Sequence, residues 1–244
     1  MKMRKGLLVV LVVVLLLGSG SVILRAEDSQ SAYQRGLEYY RQREYQLAVE
    51  ELIEAVSQNP ESAYPRFILG LSYRQLEQYE FAKTQLEKAH EFAPNHYRIM
   101  VNLGRVYRQL NKTEQAVAIL DKAIAVQAGE DSAYNVLGLI YMDQSDLEEA
   151  VFNFRQAVEQ NESNYFAYNN LGLSYIYLGD YKQAVKALEA GAELEPKYPV
   201  LYNNLGIAHE NLNNLDKARQ AYQRALEIAP NYARAQENLD RLEE

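Results

Sequence analysis

Apolar side chains recur at intervals of three and four residues along most of the chain, as in Leu103, Tyr107 and Leu110. This spacing places side chains on one face of an amphipathic helix, whereas a half-buried strand would alternate apolar and polar residues. Short polar segments interrupt the helical pattern, for example at residues 111–112 and 179–180. The pattern therefore predicts a succession of short helices separated by tight turns.

The helical pattern repeats every 34 residues, and two columns of small residues mark the repeat. The first column is glycine, at Gly36, Gly70, Gly104, Gly138, Gly172 and Gly206. The second is alanine, at Ala48, Ala82, Ala116, Ala150, Ala184 and Ala218. A tyrosine follows each glycine by three residues, except in the last repeat, where His209 takes that position. Because small residues let two helices approach closely, each unit is predicted to be a packed helix pair.

This pattern of columns resembles the tetratricopeptide repeat, whose units also close with a proline. Prolines close four of the six units here, at Pro60, Pro94, Pro196 and Pro230, whereas Ala128 and Glu162 replace them elsewhere. The resemblance covers residues 29–232 without an insertion, and it implies an all-α fold, a right-handed α-solenoid of six helix hairpins. The implied repeats span 29–62, 63–96, 97–130, 131–164, 165–198 and 199–232.

Residues 233–244 carry Leu239 and Leu242 on one helical face and charged residues on the other. Repeat arrays need a polar terminal element over the exposed core of the last repeat. This segment is therefore predicted to form a capping helix.

Residues 1–26 have the features of a membrane-targeting signal, and residues 27–28 form a short linker. Three basic residues precede an apolar run from Gly6 to Leu17. Four small residues, at 18–21, and then three large apolar residues, at 22–24, follow the run. A run of this length suits a cleavable signal peptide, whereas residues 6–24 together would span about 28 Å as a helix, enough for an uncleaved anchor. The excess of basic residues before the run predicts a cytoplasmic N-terminus. We therefore expect the repeats to lie outside the cytoplasm, either membrane-anchored or periplasmic or secreted.

Charge and composition exclude several classes of function. The net charge is −8 for the whole chain, and the part after residue 26 is more acidic, because Lys2, Arg4, Lys5 and Arg25 precede it. Nucleic acids are disfavoured as partners, since phosphate binding needs a cationic surface. The chain has no cysteine, which excludes disulfides, thiolate zinc sites, cysteine nucleophiles and a lipidated N-terminal cysteine.

The three histidines do not indicate a catalytic or metal site. None of them pairs at the four-residue spacing of a metal-binding helix, and the glycines never cluster into a phosphate-binding loop. We interpret His209 as a packed structural residue, and His90 and His96 as solvated surface residues. No enzymatic activity, cofactor or metal is predicted.

The resemblance also implies where a partner binds, because the first helices of successive repeats line a concave face in this family. By register, one end of that face is aromatic and cationic, with Tyr33, Tyr40, Arg41, Tyr64, Phe67, Arg74, Arg98, Arg105 and Arg108. The other end is apolar, with Phe166, Leu173, Ile176 and Tyr177. Arginine binds carboxylates through a two-pronged guanidinium, so the predicted partner is an acidic and partly apolar protein segment. The alternative is that these arginines form ion pairs with Glu38, Glu77 or other neighbouring carboxylates.

Asparagines just ahead of the glycine column form a second candidate set, Asn102, Asn135, Asn169, Asn170, Asn203 and Asn204. An amide donates and accepts hydrogen bonds at once, as binding to a peptide backbone requires. A glycosyltransferase of the family grips an extended peptide with asparagines at the column of Asn102, Asn170 and Asn204. Here Val136 interrupts the series, and no glycosyltransferase domain follows.

The sequence therefore predicts a protein-interaction scaffold or adaptor that contributes to the assembly of a complex in the cell envelope. Its export signal and six repeats are similar to the pilotins of pilus machines, although those carry a lipidated cysteine. The residues that clamp chaperone C-termini in other family members are not reproduced. Two alternatives stay open, a structural protein that self-assembles into a homo-oligomer and an accessory subunit of an enzyme encoded elsewhere.

Overall fold

The computed structural model describes residues 31–129 and 131–243. These residues form thirteen α-helices, and no strand occurs among them. The first helix, α1, covers the described residues 31–41. The others are α2 (Tyr45–Gln58), α3 (Ala63–Gln75), α4 (Tyr79–Phe92), α5 (Tyr97–Gln109), α6 (Thr113–Val126), α7 (Asp131–Asp143), α8 (Leu147–Gln160), α9 (Tyr165–Leu178), α10 (Tyr181–Leu194), α11 (Pro199–Asn211), α12 (Leu215–Ile228) and α13 (Ala233–Glu243). The predicted all-α fold is confirmed, with two helices in each 34-residue unit.

The predicted signal over residues 1–26 and the linker at 27–28 lie outside the described residues. Within the part of the chain that is described, no helix is both long enough and apolar enough to cross a membrane.

The helices group into two compact units that divide between Lys112 and Thr113, inside the third predicted repeat. Unit 1 contains α1 to α5 from residue 31 onward, and unit 2 contains α6 to α13. Helices of one repeat pack against each other, α3 with α4 in unit 1, and α7 with α8, α9 with α10 and α11 with α12 in unit 2. Each second helix also contacts the next first helix, as α4 contacts α5 and α10 contacts α11.

The glycine column marks the point where the two helices of a repeat approach most closely. A Cβ atom on Gly172 would lie 2.4 Å from Cγ of Leu188, and one on Gly206 would lie 2.3 Å from a ring carbon of Tyr222. Carbon atoms in favourable contact are about 3.5 to 4.0 Å apart, so a larger residue would overlap the facing side chain. The glycine therefore makes room for the large buried side chain of the second helix.

The turn between the two helices of a repeat contains one residue in the left-handed backbone region. Gly179 has φ 78° there. The corresponding non-glycine residues have φ between 57° and 65°, and they are Arg43, Glu77, Asn111, Ser145 and Asn213. Side chains with a Cβ atom are disfavoured in this region by about 1 to 2 kcal/mol. The turn geometry is therefore maintained by packing of the flanking helices at a local conformational cost.

The helix α13 caps unit 2, as the sequence predicts. Ala235 is fully buried. Leu239 is 9% exposed and belongs to the same apolar cluster as Tyr222 of α12. Arg241 adds a polar contact, because its Nη2 lies 3.0 Å from Oε2 of Glu210 in α11. The hydroxyl of Tyr222 donates to the same Glu210 oxygen at 2.7 Å. Burial and this carboxylate both raise the pKa of Tyr222 above its usual value.

Candidate partner-binding surfaces

The first helices of unit 1 are α1, α3 and α5, and they carry the aromatic and cationic part of the predicted site. The predicted residues on them are Tyr33, Tyr40, Arg41, Tyr64, Phe67, Arg74, Arg98, Asn102, Arg105 and Arg108. Tyr33 and Tyr40 of α1 pack against a buried cluster that Ala48, Val49 and Leu52 of α2 form with Leu69 of α3. Burial, together with the nearby Tyr64, raises the pKa of Tyr33. The side chains of Tyr33 and Tyr64 therefore lie near each other in unit 1.

Three rings, those of Tyr64, Phe67 and His96, form a group that we call the aromatic platform. The centroid of His96 lies 5.8 Å from that of Tyr64 and 5.7 Å from that of Phe67. Tyr64 is 56% exposed, whereas Phe67 is only 9% exposed. The sequence interpretation of His96 as a solvated residue is wrong, because His96 is half-buried and its ring contacts both Tyr64 and Phe67. His96 stands eight residues before Gly104, as the aromatic Tyr198 of unit 2 stands eight residues before Gly206. This shared register was the sequence signal that His96 occupies an aromatic packing position.

The arginines of unit 1 differ in what they contact. Arg41 pairs with Glu38 at 3.8 Å, which realises the predicted alternative for this residue. Nε of Arg98 donates to the Tyr97 hydroxyl at 3.1 Å, and Nη1 of Arg105 donates to Oδ1 of Asn102 at 3.4 Å. Arg108 also has an interaction partner. Arg74 is different, because no carboxylate among the described residues lies within ion-pair distance of it. For Arg74, the alternative of an ion pair with Glu77 or another neighbouring carboxylate is therefore not realised among the described residues.

The asparagines of unit 2 are hydrogen-bonded to one another in a continuous row that we call the asparagine ladder. Its members are Asn135, Asn169, Asn170, Asn203, Asn204 and Asn238. Between helices, Nδ2 of Asn170 donates to Oδ1 of Asn135 at 3.2 Å, and Nδ2 of Asn204 donates to Oδ1 of Asn169 at 3.0 Å. Nδ2 of Asn238 in the cap donates in the same way to Asn203, at 3.0 Å.

Longer bonds within single helices join these pairs into the ladder. Nδ2 of Asn169 lies 3.3 Å from Oδ1 of Asn170, and Nδ2 of Asn203 lies 3.4 Å from Oδ1 of Asn204. The side chains of Asn169, Asn203 and Asn204 are buried.

The ladder changes the interpretation of the predicted asparagine site. The sequence predicted amides that grip a peptide backbone, but the buried members use their amides to bind the next first helix. Peptide binding stays a prediction for Asn135 and Asn170, which are half-buried. Asn102 of unit 1 instead donates to the backbone carbonyl of Arg98 at 2.8 Å. Sequence reasoning missed Asn238, although it stands 35 residues after Asn203, as Asn204 stands 35 residues after Asn169.

The predicted apolar residues of unit 2 lie on α9. Phe166 is 49% exposed and Tyr177 is 60% exposed, whereas Leu173 and Ile176 are half-buried. The ring of Phe166 packs against Tyr165 and Tyr198, with centroids 4.1 and 5.5 Å away. Unit 2 therefore presents an exposed aromatic group at the start of α9, to which the unpredicted Tyr165 and Tyr198 also contribute.

His209 is buried in α11, 5% exposed, in agreement with its interpretation as a packed residue. Its Nδ1 has no hydrogen-bond partner among the described residues. Burial, followed by the nearby Lys217, lowers the pKa of His209, so the neutral ring is the favoured form. Over residues 31–129 and 131–243, no group of three or more histidine, aspartate and glutamate side chains has an arrangement that would hold a metal ion.

Comparison with known proteins agrees with the fold. Two family models described as tetratricopeptide repeat match residues 64–129 and 169–233, together more than half of the chain. The chain belongs to the tetratricopeptide repeat family. A third model, for subunit 3 of the anaphase-promoting complex or cyclosome, matches residues 109–191 of this tetratricopeptide protein. A comparison with curated protein sequences gave no match.

Several different proteins with solved structures share this fold. The Cut9–Hcn1 hetero-tetramer of the anaphase-promoting complex superposes with a TM-score of 0.77 at 20% identity, over 94% of this chain but only 45% of that one. PilF of Pseudomonas aeruginosa gives a TM-score of 0.74 at 17% identity, over 89% of this chain and 99% of that one. YrrB, described as having an unusual peptide-binding site, gives 0.58 at 22% identity, over 78% and 97% of the two chains. At these identities the likeness establishes the fold.

Proposed function

We propose that this tetratricopeptide protein is a non-enzymatic interaction scaffold that binds an acidic, partly apolar segment of another protein on the first helices of unit 1. The observation that carries the proposal is that α3 carries both an exposed ring, Tyr64, near its start and an arginine, Arg74, near its end that has no carboxylate partner among the described residues. A cation and an aromatic surface together suit a partner with a carboxylate and an apolar side chain.

The relatives support a role in binding proteins. YrrB is described as having a peptide-binding site, and Cut9 was solved as a hetero-tetramer with Hcn1. The same fold serves unrelated functions, so the choice of partner must come from the side chains of this chain. Unit 2 by itself offers a second exposed aromatic surface, around Phe166 and Tyr177.

Site-specific photo-crosslinking in the native cell tests the scaffold function. A photoreactive benzoylphenylalanine is placed at Tyr64 or at Phe166 on first helices, and at Phe81 or at Phe152 on second helices. All four side chains are exposed by between 49% and 61%, so the second-helix positions are matched controls. We expect a discrete adduct from Tyr64, and none from Phe81. Adducts from Phe81 and Phe152 alone would refute the assignment of the binding face, and an adduct with the mass of a homodimer would favour self-assembly.

We further propose that residues 6–24 direct the repeats out of the cytoplasm and that the protein acts in assembly of an envelope complex. Support comes from the apolar run and from the basic residues Lys2, Arg4 and Lys5 that precede it. Alkaline phosphatase and a fluorescent protein active only in the cytoplasm, each fused to the C-terminus, test the location. Phosphatase activity without fluorescence is expected, and the reverse result would overturn it. Resistance of the protein to carbonate extraction would then distinguish an anchor from a cleaved signal.

A further inference from the structure

Two segments of the chain match the acceptor pattern for N-linked glycans, an asparagine followed two residues later by serine or threonine with no proline between them. They are residues 111–113, with the sequence Asn-Lys-Thr, and residues 161–163, with the sequence Asn-Glu-Ser. A pattern of three residues also arises by chance, so its structural setting has to decide whether it is a site. An acceptor needs an exposed asparagine amide and a segment that lies outside regular helix.

Residues 161–163 have this setting, because they form the turn between α8 and α9. Asn161 follows the last residue of α8 with an extended backbone, φ −145° and ψ 90°, and all three residues are exposed. Oδ1 of Asn161 accepts a hydrogen bond from the backbone N–H of Ser163 at 3.1 Å. This bond holds the serine beside the asparagine amide. An enzyme that binds the serine hydroxyl therefore meets the asparagine side chain in a defined position.

The atom that would receive a glycan is Nδ2 of Asn161, which carries two hydrogen atoms. It donates to Oδ2 of Asp131 at 3.1 Å. Nδ2 of Asn164 donates to the same oxygen at 2.6 Å, so Asp131 keeps a donor when Asn161 is withdrawn. An amide nitrogen joined to a sugar still carries one N–H, which can donate to Asp131 as before. Attachment of a glycan at Asn161 is therefore compatible with the fold of unit 2.

Residues 111–113 carry the same pattern in a setting that does not suit the reaction. Thr113 is the first residue of α6, and both Lys112 and Thr113 are half-buried. The backbone N–H of Lys112 donates to the carbonyl of Tyr107 at 2.8 Å. An enzyme could bind this segment only after that hydrogen bond was broken and the start of α6 was unwound. Of the two asparagines, the structure therefore favours Asn161 as an acceptor.

We propose that Asn161 is the acceptor of an N-linked glycan, transferred by an oligosaccharyltransferase from a polyprenyl-diphosphate-linked oligosaccharide. In this step, Nδ2 of Asn161 forms a bond to C1 of the first sugar, and the bond between C1 and the diphosphate oxygen breaks. The diphosphate leaves with the bonding electron pair, and the amide loses one proton to a base of the transferase. The inference rests on the proposed location of the repeats outside the cytoplasm, because the transfer takes place on that side of the membrane.

Mass spectrometry of the full chain, purified from native cells in detergent, tests the inference. Cleavage after lysine and arginine releases residues 156–182 as one peptide, which contains Asn161. We expect this peptide to carry the added mass of an oligosaccharide, and fragmentation of the peptide should place the added mass on Asn161. The peptide that contains Asn111 should have its unmodified mass.

Matched variants separate the acceptor pattern from the fold. Ser163→Ala removes only the hydroxyl, and the backbone N–H of residue 163 can still donate to Asn161, so the glycan should be lost while the circular dichroism spectrum stays the same. Ser163→Thr keeps the pattern and should keep the glycan. Asn59→Gln is the control, because Asn59 follows α2 as Asn161 follows α8, but Pro60 and Glu61 come next, so this variant should keep the glycan.

The alkaline phosphatase fusion distinguishes failure of this inference from failure of the proposed location. If the fusion is active and the peptide of residues 156–182 is unmodified, the inference is wrong and export of the repeats stands. If the fusion is inactive and the peptide is unmodified, the location is wrong and the inference fails with it. A glycan that persists in Ser163→Ala, or that lies on Asn111 instead of Asn161, would also overturn the inference.

Discussion

Removing one amide from the asparagine ladder should measurably destabilise unit 2. Asn204 is 6% exposed, and its Nδ2 donates to Oδ1 of Asn169 in the neighbouring first helix at 3.0 Å. Its Oδ1 accepts a longer bond of 3.4 Å from Asn203. In Asn204→Ala, the buried oxygen of Asn169 loses its donor and the nitrogen of Asn203 loses its acceptor.

The expected magnitude follows from these distances. A buried polar group left without a partner costs about 1 to 3 kcal/mol. The bond to Asn169 has a normal length and the bond from Asn203 is weak, so Asn169 should account for most of the loss. We expect Asn204→Ala to lower the free energy of unfolding by about 2 kcal/mol. For a chain of this size, that corresponds to a fall in melting temperature of about 4 to 8 °C.

Urea denaturation followed by far-UV circular dichroism would measure the change, and hydrogen exchange would locate it. Because a repeat array couples mainly to its nearest neighbours, faster exchange should be confined to α11 and the helices that contact it, α9, α10, α12 and α13. Asn204→Asp is a second variant that keeps the side-chain shape but replaces the donor with an acceptor. Its loss should be at least as large, because two oxygen atoms then face each other.

Asn211→Ala is the matched control in the same helix. Asn211 is exposed, and the one hydrogen bond of its amide among residues 31–129 and 131–243 goes to the carbonyl of Ile207 within α11, at 2.9 Å. Its removal should therefore change stability by less than about 0.5 kcal/mol. If Asn204→Ala and Asn211→Ala had the same small effect, the ladder would contribute nothing to stability, and the reasoning from buried amides would be refuted.

Three further changes test other parts of the structure. Ala150→Leu overfills a fully buried position and should lower stability by about 1 to 3 kcal/mol, with faster hydrogen exchange limited to residues 131–164; unchanged exchange there would contradict the packing. Ser145→Gly relieves a φ of 62° and should raise the urea midpoint by the equivalent of about 0.5 to 1 kcal/mol, whereas a decrease would show that the turn is not strained. Because the pKa of His209 is lowered in the folded protein, its contribution to the free energy of folding is lost as the pH falls below about 6.5. His209→Phe should therefore flatten the dependence of the melting temperature on pH between neutral and acidic buffer. An unchanged slope would contradict the lowered pKa.

The sequence determined the fold of this protein because the contacts within a repeat lie at fixed short separations along the chain. The facing pair Gly172 and Leu188 is 16 residues apart, and the same pair of columns recurs in the other repeats, so close helix approach was readable from the pattern. The turns and the capping helix were predictable for the same reason, since polar segments and the amphipathic face of residues 233–244 are local features.

The candidate site was predictable only as a set of positions. Helical register predicts Tyr64, Phe67 and Arg74 on one face, and all three residues lie in α3. Register did not reveal that Arg41 pairs with Glu38 while Arg74 pairs with no described carboxylate, because both have an acidic residue three positions away in sequence. Whether a given arginine forms an ion pair depends on side-chain rotamers and on the neighbouring helices, and the repeat pattern does not encode either of these.

The asparagine ladder was decided by tertiary structure alone. The sequence showed the asparagines and suggested a ligand for them, but Asn204 and Asn169 bond because their two first helices pack side by side at a particular distance and rotation. An exposed amide can form hydrogen bonds with water, with a peptide or with another amide, because it both donates and accepts. Burial removed water, and the neighbouring helix supplied the partner, so packing between repeats rather than residue type determined which hydrogen bond forms.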